Sequence, residues 1–220
     1  METWAVLWDM DGVLADSTQL HFQSWKATFD PRGMVITDEM FRRTFGRNNR
    51  SVLADFFGRP PTEEELEQIA AEKEIWFRAH IPGNMDLLPG ALAWLKRFQS
   101  WGFLQAVASS APAENIEAQV DTLGIRSYFG ALVSAANLPG KPDPAVFLKA
   151  AERLGVSPAR SVVMEDAPAG VEGARRGGMK CVAVLTTQPA SALQGADLVV
   201  NRLTDLKEPV MRRLLGLPAD

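Results

Sequence analysis

The amino-acid sequence predicts an α/β fold, in which a parallel sheet is covered by helices on both faces and is split after its first strand by a helical insert. Three observations support this prediction. A short apolar run near the start is typical of a buried strand, and the residues after it repeat apolar side chains at helical spacing. The remaining chain alternates strand-like with helix-like segments, which is typical of a parallel sheet.

The first strand is predicted over residues 4–8, because this run is short, apolar and rich in strand-forming residues. It ends at Asp9 and is broken at Gly12. Polar residues therefore follow the strand directly, at the edge of the sheet where its carboxyl end lies.

Residues 17–86 are predicted to form a helical cap domain, and residues 1–16 and 87–220 the α/β core domain. Asp38 and Thr62 are predicted to be helix N-caps, because glutamates suited to a first helical turn follow each of them. Aromatic residues at helical spacing are expected to pack in the interior of the cap: Trp25, Phe29, Trp76 and Phe77.

After Gly90 the chain alternates between the two element types. Strands are predicted over 103–108, 132–134, 161–164, 181–185 and 197–200. Helices are predicted over 91–99, after Pro112, and over 144–154, 168–176 and 204–215. Ligands of open parallel sheets bind beyond the carboxyl ends of the strands, so the residues at those ends are candidates for function.

The composition describes an ordinary globular chain and excludes a disordered one. Its 220 residues are 46% hydrophobic, and 23 basic against 27 acidic residues give a formal charge of −4. This balance offers no general attraction to nucleic acid. Cys181 is the single cysteine, no apolar stretch reaches membrane-spanning length, and the start does not resemble a secretory signal. A soluble protein of the cytoplasm, without a nucleic-acid or membrane partner, is expected.

Charged and hydroxyl side chains follow four of the predicted strands: Asp9 and Asp11, Ser109 and Ser110, Lys141, and Glu165 and Asp166. Four carboxylates gathered at one edge would repel one another unless a cation offset them, and Mg²⁺ is the hard cation that prefers carboxylate oxygens. Mg²⁺ held by two carboxylates keeps positions for water and a substrate phosphate. The pattern therefore predicts phosphoryl transfer.

Each of these motifs also has a structural explanation when it is taken alone. Asp and Gly are common in turns, and the serines or Glu165 with Asp166 could cap the helices that follow them. Lys141 is not a P-loop lysine, because Pro142 stands where Ser or Thr is required. The order and placement of all four motifs together favour the functional interpretation.

The sequence resembles the haloacid dehalogenase superfamily. The matching pieces, in chain order, are D9-M-D11-G12-V13 after a buried strand, S109 at the end of a second strand, G140-K141-P142-D143-P144, and E165-D166-x-x-x-G170 after a hydrophobic strand. The resemblance implies a Rossmann-like core with a small helical cap, in agreement with the insert after the first motif.

By resemblance, Asp9 is the nucleophile that attacks phosphorus and forms an aspartyl phosphate. Asp11 would protonate the leaving oxygen and later deprotonate water, which requires that burial or nearby carboxylates raise its pKa. Lys141 and Ser109 would hold phosphoryl oxygens, with Ser110 beside them in substrate binding.

The resemblance also implies the metal ligands. Asp9, Asp166 and the backbone carbonyl of Asp11 are expected to bind Mg²⁺. Glu165 is expected either to bind the ion or to support the residues that do.

The cap sequence resembles the β-phosphoglucomutase branch, which favours a sugar phosphate as substrate. His21, Trp25 and Lys26 match a His-x-x-x-Trp-Lys stretch of that branch, and Lys73 falls near a cap lysine. The loop residues Arg47 and Arg50 are further candidate substrate contacts. However, Asn49 stands where the mutase has its phosphate-binding arginine, and Arg50 could replace that arginine only if the loop shifts.

The sequence is therefore predicted to encode a monomeric Mg²⁺-dependent phosphatase that hydrolyses small phosphate monoesters, sugar phosphates above all. The first alternative is a β-phosphoglucomutase, which would need a second phosphate clamp in the cap. A catalytically inactive binding protein is a weaker alternative, because every acid, hydroxyl and lysine that the chemistry needs is present.

Overall fold

The computed structural model describes residues 3–218 and contains a six-stranded parallel sheet. The strands are β1 (Ala5–Trp8), β2 (Leu104–Ser109), β3 (Ala131–Ser134), β4 (Ser161–Glu165), β5 (Lys180–Val184) and β6 (Leu198–Val200), and their order across the sheet is β3-β2-β1-β4-β5-β6. In register, Leu7 of β1 lies between Ala106 of β2 and Val163 of β4. The predicted α/β fold is confirmed, and β1 lies at the centre of the sheet.

Helices cover both faces of this sheet: α5 (Ala91–Ser100), α6 (Ala113–Thr122), α7 (Ala145–Leu154), α8 (Pro168–Arg176) and α9 (Glu208–Leu214). Side chains of β1 alternate between two apolar clusters, with Trp8 in one and Leu7 in the other. Both faces of the strand are thus buried, which explains its uninterrupted apolar sequence.

The last helix is shorter than predicted. Residues Leu203–Asp205 form a 3-10 turn, and α9 begins only at Glu208. Pro209 explains the difference, because it is tolerated in the first turn of a helix and would break one that began at Thr204.

Four helices lie between β1 and α5: α1 (Thr18–Phe29), α2 (Asp38–Thr44), α3 (Asn49–Phe57) and α4 (Glu63–Ala79). Thr62 is the N-cap of α4, as predicted. The N-cap of α2 is Thr37 rather than Asp38, because the Thr37 side chain accepts a hydrogen bond from the backbone of Met40 and Asp38 is already helical. The division of the chain into core and cap domains stays a prediction.

The cap helices have their own apolar cluster, which includes Trp25 and Phe29. Trp76 and Phe77, predicted for the same interior, instead pack with the cluster on one face of the sheet. These two residues lie near the end of α4, where the helix approaches the core.

The two crossings between sheet and cap run side by side. Ala15 bridges to Leu87 in antiparallel register, and the backbone N–H of Leu88 donates to the carbonyl of Leu14 at 2.9 Å. On the other side of this bridge, the backbone N–H of Asp16 donates to the carbonyl of Asp86 at 3.2 Å. The cap is therefore attached through one two-stranded ribbon. Within residues 3–218, no helix is both long and apolar enough to cross a lipid bilayer.

Candidate active site

Three strand ends bring acidic and hydroxyl side chains to one edge of the sheet. Asp9 directly follows β1, Ser109 is the last residue of β2, and Glu165 is the last residue of β4. These strands are parallel neighbours, so their carboxyl ends lie next to one another. The backbone N–H of Asp9 donates to the carbonyl of Met164 at 3.0 Å, which extends the ladder by one residue.

Lys141 reaches this edge from the loop after β3 and lies between two carboxylates. Its Nζ is 2.6 Å from Oδ1 of Asp9 and 2.5 Å from Oε1 of Glu165. Burial alone would lower the pKa of Lys141, but the charges of Asp9 and Glu165 outweigh it and raise the pKa above its ordinary value. Lys141 is therefore a fixed positive charge at neutral pH.

Glu165 is held by both of its carboxylate oxygens. Oε1 accepts from Lys141, and Oε2 accepts from the backbone N–H groups of Asp166 and Ala167, each at 2.8 Å. Gly170, in the first turn of α8, makes room for this arrangement, because a Cβ at that position would overlap the Glu165 carboxylate. Glu165 thus ties Lys141 to the start of α8.

Asp166 is placed by a second glycine. Gly12 has a φ of 84°, and a Cβ there would overlap Oδ2 of Asp166. The hydroxyl of Thr187 donates to the same oxygen at 2.5 Å. The glycine of the first motif is therefore required both for the turn after β1 and for the approach of Asp166.

Asp9, Glu165 and Asp166 form a buried acidic group, with one oxygen of each carboxylate within 4.8 Å of the others. Burial, with Glu165 and Asp11 adding to it, raises the pKa of Asp9 to about 7 although Lys141 lowers it. Burial and the charges of Glu165 and Asp9 also raise the pKa of Asp166 well above its ordinary value. Burial and mutual repulsion therefore make full ionisation of the group unfavourable although Lys141 lies beside it.

The residues present fit a hard divalent cation. When all three carboxylates are ionised, they carry two more charges than the one ammonium offsets, and carboxylate oxygens are the donors that Mg²⁺ prefers. The carboxylate of Asp11 is not part of this group. Its predicted contribution through the backbone carbonyl stays a prediction.

Asp11 is held by the hinge and the cap. Its Oδ1 accepts from Ser17 Oγ at 2.6 Å and from Gln119 Nε2 at 3.4 Å, and it lies 3.3 Å from Nε2 of His21. Burial raises the pKa of Asp11, but its neighbours His21 and the Ser17 hydroxyl lower it to about 2. The expectation of a raised pKa is thus wrong, because it did not include the donors that surround this carboxylate.

A cavity between sheet and cap opens onto Asp9 and Asp11. Its floor is formed by residues from the sheet edge: Asp9, Asp11, Ser109, Ser110, Ala111 and Pro112. Its roof comes from the cap: His21, Trp25, Phe41, Thr44, Phe45, Gly46, Arg47, Asn49, Val52, Lys73 and Glu74. The cavity therefore joins the acidic edge to a roof with aromatic, polar and charged side chains.

The structure brings five of the seven predicted substrate contacts to this cavity: His21, Trp25, Arg47, Lys73 and Ser110. Lys26 and Arg50 do not line it. Lys26 is exposed and lies 5.7 Å from the centre of the Phe22 ring, because successive residues of a helix point about 100° apart. Arg50 donates to Glu63 at 2.7 and 3.0 Å, so its guanidinium does not replace the missing cap-loop arginine.

Sequence reasoning missed several polar neighbours of the site. Thr187, Ser17 and Gln119 contact the acidic residues, and Glu74 and Asn115 form a buried pair between cap and core. Ser17 follows Asp11 by only six residues, so its contact with Asp11 could have been predicted from the sequence. The other contacts join residues far apart in the sequence, which no local pattern reveals.

Comparisons with known proteins show which family this chain resembles. Residues 6–184 match the family model described as haloacid dehalogenase-like hydrolase. The validoxylamine A 7'-phosphate phosphatase of Streptomyces hygroscopicus subsp. limoneus is 31% identical over 207 residues, which cover 92% of this chain and 95% of that protein. The β-phosphoglucomutase of Bacillus subtilis (strain 168) is 33% identical over 213 residues, with coverages of 92% and 91%.

A solved structure resembles the whole chain. The crystal structure of the β-phosphoglucomutase from Clostridium difficile superimposes with a TM-score of 0.87 at 26% identity and covers 98% of both chains. The likeness extends over sheet and cap together.

Proposed function

This chain belongs to the haloacid dehalogenase-like hydrolase family, and we propose that it is a Mg²⁺-dependent phosphatase that hydrolyses monoesters of small phosphorylated metabolites, sugar phosphates above all. One observation carries the proposal: Asp9 lies on the floor of a capped cavity and forms a buried cluster with Lys141, Glu165 and Asp166. The phosphatase and phosphomutase named above support the substrate class.

In the proposed reaction, a carboxylate oxygen of Asp9 attacks the phosphorus of the bound ester. A bond forms between this oxygen and phosphorus, the bond from phosphorus to the ester oxygen breaks, and the ester oxygen leaves with the electron pair and takes a proton from Asp11. This step requires Asp11 to be protonated in the substrate complex, where the negative charge of the phosphoryl group raises a pKa that is about 2 without it. Lys141 and Ser109 hold phosphoryl oxygens while the negative charge of the transferring group is spread over them.

Water completes the cycle. Its oxygen attacks the aspartyl phosphate, Asp11 accepts a proton from it, and the bond between phosphorus and Asp9 breaks to release inorganic phosphate and the free carboxylate. Asp9, Asp166 and the Asp11 carbonyl would hold Mg²⁺. Glu165 would keep Lys141 in place beside Asp9. When bound, the ion offsets the negative charge shared by Asp9 and the phosphoryl group.

Release of p-nitrophenol from p-nitrophenyl phosphate, measured with Mg²⁺ and with EDTA, tests this proposal. Wild-type protein is expected to turn over only with Mg²⁺, and Asp9→Asn to lose turnover because the amide is a poor nucleophile of the same volume. Asp121→Asn, an equally small change at an exposed residue of α6, is the matched control. Substantial turnover by Asp9→Asn would refute the assignment of the nucleophile.

The similarity to two β-phosphoglucomutases favours that activity as the alternative. Against it, Asn49 and the Arg50–Glu63 pair leave the cap without the expected arginine clamp for a second phosphate. Incubation with β-glucose 1-phosphate and a bisphosphate primer distinguishes the two. Free phosphate indicates the phosphatase, and glucose 6-phosphate indicates the mutase.

A further inference from the structure

A path of buried hydrogen bonds leaves the core at Asn115, passes through the cap and returns to the core at Asp11. We propose that Asn115 and Glu74 are positioning residues, which hold Asp11 in its proton-transferring orientation only while the cap is docked on α6. The inference rests on the proposed function, in which Asp11 exchanges a proton with the leaving oxygen and with water.

The path begins with a polar clamp between α6 and α4. Asn115 is fully buried, and its Nδ2 donates to Oε2 of Glu74 at 2.5 Å while its Oδ1 accepts from Arg78 at 2.8 Å. Glu74 and Arg78 lie one turn apart on α4. One core amide thus uses both its donor and its acceptor on the same cap helix, which fixes how the amide is turned.

Glu74 passes this restraint to Lys73. Its Oε1 accepts from Lys73 Nζ at 3.0 Å and from Asn49 Nδ2 at 2.7 Å. With the bond from Asn115, the carboxylate has three donors from three helices. A buried carboxylate held in this way fixes the ammonium group beside it, because an unpaired charge in this position would be costly.

Lys73 in turn fixes the ring of His21. Lys73 Nζ lies 3.0 Å from Nδ1 of His21, and since an ammonium can only donate, Nδ1 accepts. The ring proton is then on Nε2, the nitrogen that lies 3.3 Å from Asp11. The ring also stacks on Phe77, with 4.1 Å between the ring centres.

The consequence at Asp11 is a difference between its two oxygens. Oδ1 accepts hydrogen bonds from Ser17 and Gln119 and lies beside Nε2 of His21. Oδ2, in contrast, makes no hydrogen bond with any residue from 3 to 218. Because Asp11 lines the cavity, the restraint on Oδ1 leaves Oδ2 as the oxygen that exchanges the proton. If α4 moved away from α6, the hydrogen bond between Asn115 and Glu74 would break, and Glu74, Lys73 and His21 would no longer be held in place from the core.

This role has a kinetic signature. An alkoxide leaves phosphorus far less readily than a nitrophenolate, so a sugar phosphate depends on proton donation by Asp11 and p-nitrophenyl phosphate depends on it much less. A variant that misplaces Asp11 should therefore lose more activity on the sugar ester. A variant that only loosens the protein should lose activity on both esters equally.

The experiment compares kcat/KM for p-nitrophenyl phosphate with that for glucose 6-phosphate, or for the fastest sugar phosphate of a substrate panel if glucose 6-phosphate is slower. Asn115→Ala and Glu74→Gln are expected to lower the sugar-ester value about 10-fold or more beyond their effect on the aryl ester, with most of the loss in kcat. The ratio of the two values does not depend on how much of each preparation is folded.

Arg32→Met is the matched control, because it removes a charged hydrogen-bond partner of the same cap helix, Glu72 of α4 at 2.8 and 2.9 Å, that is not part of the path. Its ratio should equal that of the wild type. An unchanged ratio in Asn115→Ala and Glu74→Gln, or the same change in Arg32→Met, would overturn the inference and leave the phosphatase in place. Absence of turnover of both esters by the wild type would instead overturn the proposed function, and the inference with it.

Discussion

Two glycines determine where the acidic side chains of the site can lie. Gly12 leaves space for Asp166, and Gly170 leaves space for Glu165. Neither carboxylate could take its position beside an alanine. The spacing of glycine and acid in the two motifs thus has a steric cause as well as a chemical one.

Gly170→Ala provides a test, because two effects of opposite sign meet at this position. Alanine is favoured over glycine within a helix by up to about 1 kcal/mol. Here we expect the overlap with Glu165 to outweigh that gain, so the melting temperature falls and turnover falls further as Lys141 loses its partner. Gly195→Ala, whose Cβ would make an ordinary 3.4 Å contact with Val171, is the control. A stabilised, fully active Gly170→Ala would contradict the explanation.

Glu74 gives a pH dependence of stability. Burial raises its pKa, but Lys73, His21 and Asn49 outweigh burial, so the pKa lies below the ordinary value of 4.5. A carboxyl with a lowered folded-state pKa stabilises the fold above its unfolded pKa, and this contribution is lost as the pH falls through the folded one. The gap in melting temperature between wild type and Glu74→Gln should be widest near pH 7 and narrow below about pH 4.5. A gap that widens toward acid pH would show that the sign is wrong.

The sequence allowed the acidic residues of the core to be selected because each directly follows a predicted strand. The state of Asp11 could not be derived in this way. Its pKa depends on Ser17 and His21, whose approach depends on how the chain turns into the cap. The buried pair of Glu74 and Asn115 could not be predicted from the sequence either, because the residues around each of them are those of an ordinary exposed helix position.

Helix α4 shows what local sequence can specify at the scale of an element. Thr62 Oγ1 accepts from the backbone of Glu65 at 3.1 Å, and the Glu65 carboxylate accepts from the backbone of Thr62 at 2.8 Å. This reciprocal cap involves only neighbours in sequence and was predictable. At α2, two adjacent residues both suit a cap, and Thr37 rather than Asp38 takes that position.

Thr62→Ala should destabilise the protein by about 1 kcal/mol, because the backbone N–H of Glu65 loses its hydroxyl partner. For a chain of this size the melting temperature should fall by roughly 2–4 °C. We expect kcat to remain unchanged, since Lys73 lies three turns further along the helix. Thr62→Ser, which keeps the hydroxyl, should melt close to the wild type; equal losses in both variants would exclude the cap as the cause.

At the scale of the whole molecule, the buried acidic group of Asp9, Glu165 and Asp166 lies at one edge of the sheet.

The fold class was predictable because alternating apolar segments leave few arrangements other than a parallel sheet. The packing of Trp76 and Phe77 was not, because it depends on where α4 meets the core.

Thermal melting with and without Mg²⁺ tests this charge balance. In EDTA near pH 7, Asp166→Asn should melt above the wild type, because burial, Glu165 and Asp9 make the ionised form of Asp166 unfavourable. Mg²⁺ at about 100 times its Kd should raise the wild-type melting temperature by roughly 5–10 °C and the variant far less. A shift of equal size in both proteins would mean that the ion binds elsewhere.

The ribbon that joins sheet and cap makes the cap exchangeable. Because Ala15 and Leu87 pair, the two ends of the intervening polypeptide lie about 5 Å apart, a gap that a tight turn can close. Grafting a lid of different sequence at this junction would leave the strand order and the Asp9–Lys141–Glu165 contacts in place, provided that the new lid covers the apolar surface on which Trp76 and Phe77 pack. One catalytic floor could in this way serve many leaving groups, with selectivity carried by an interchangeable module.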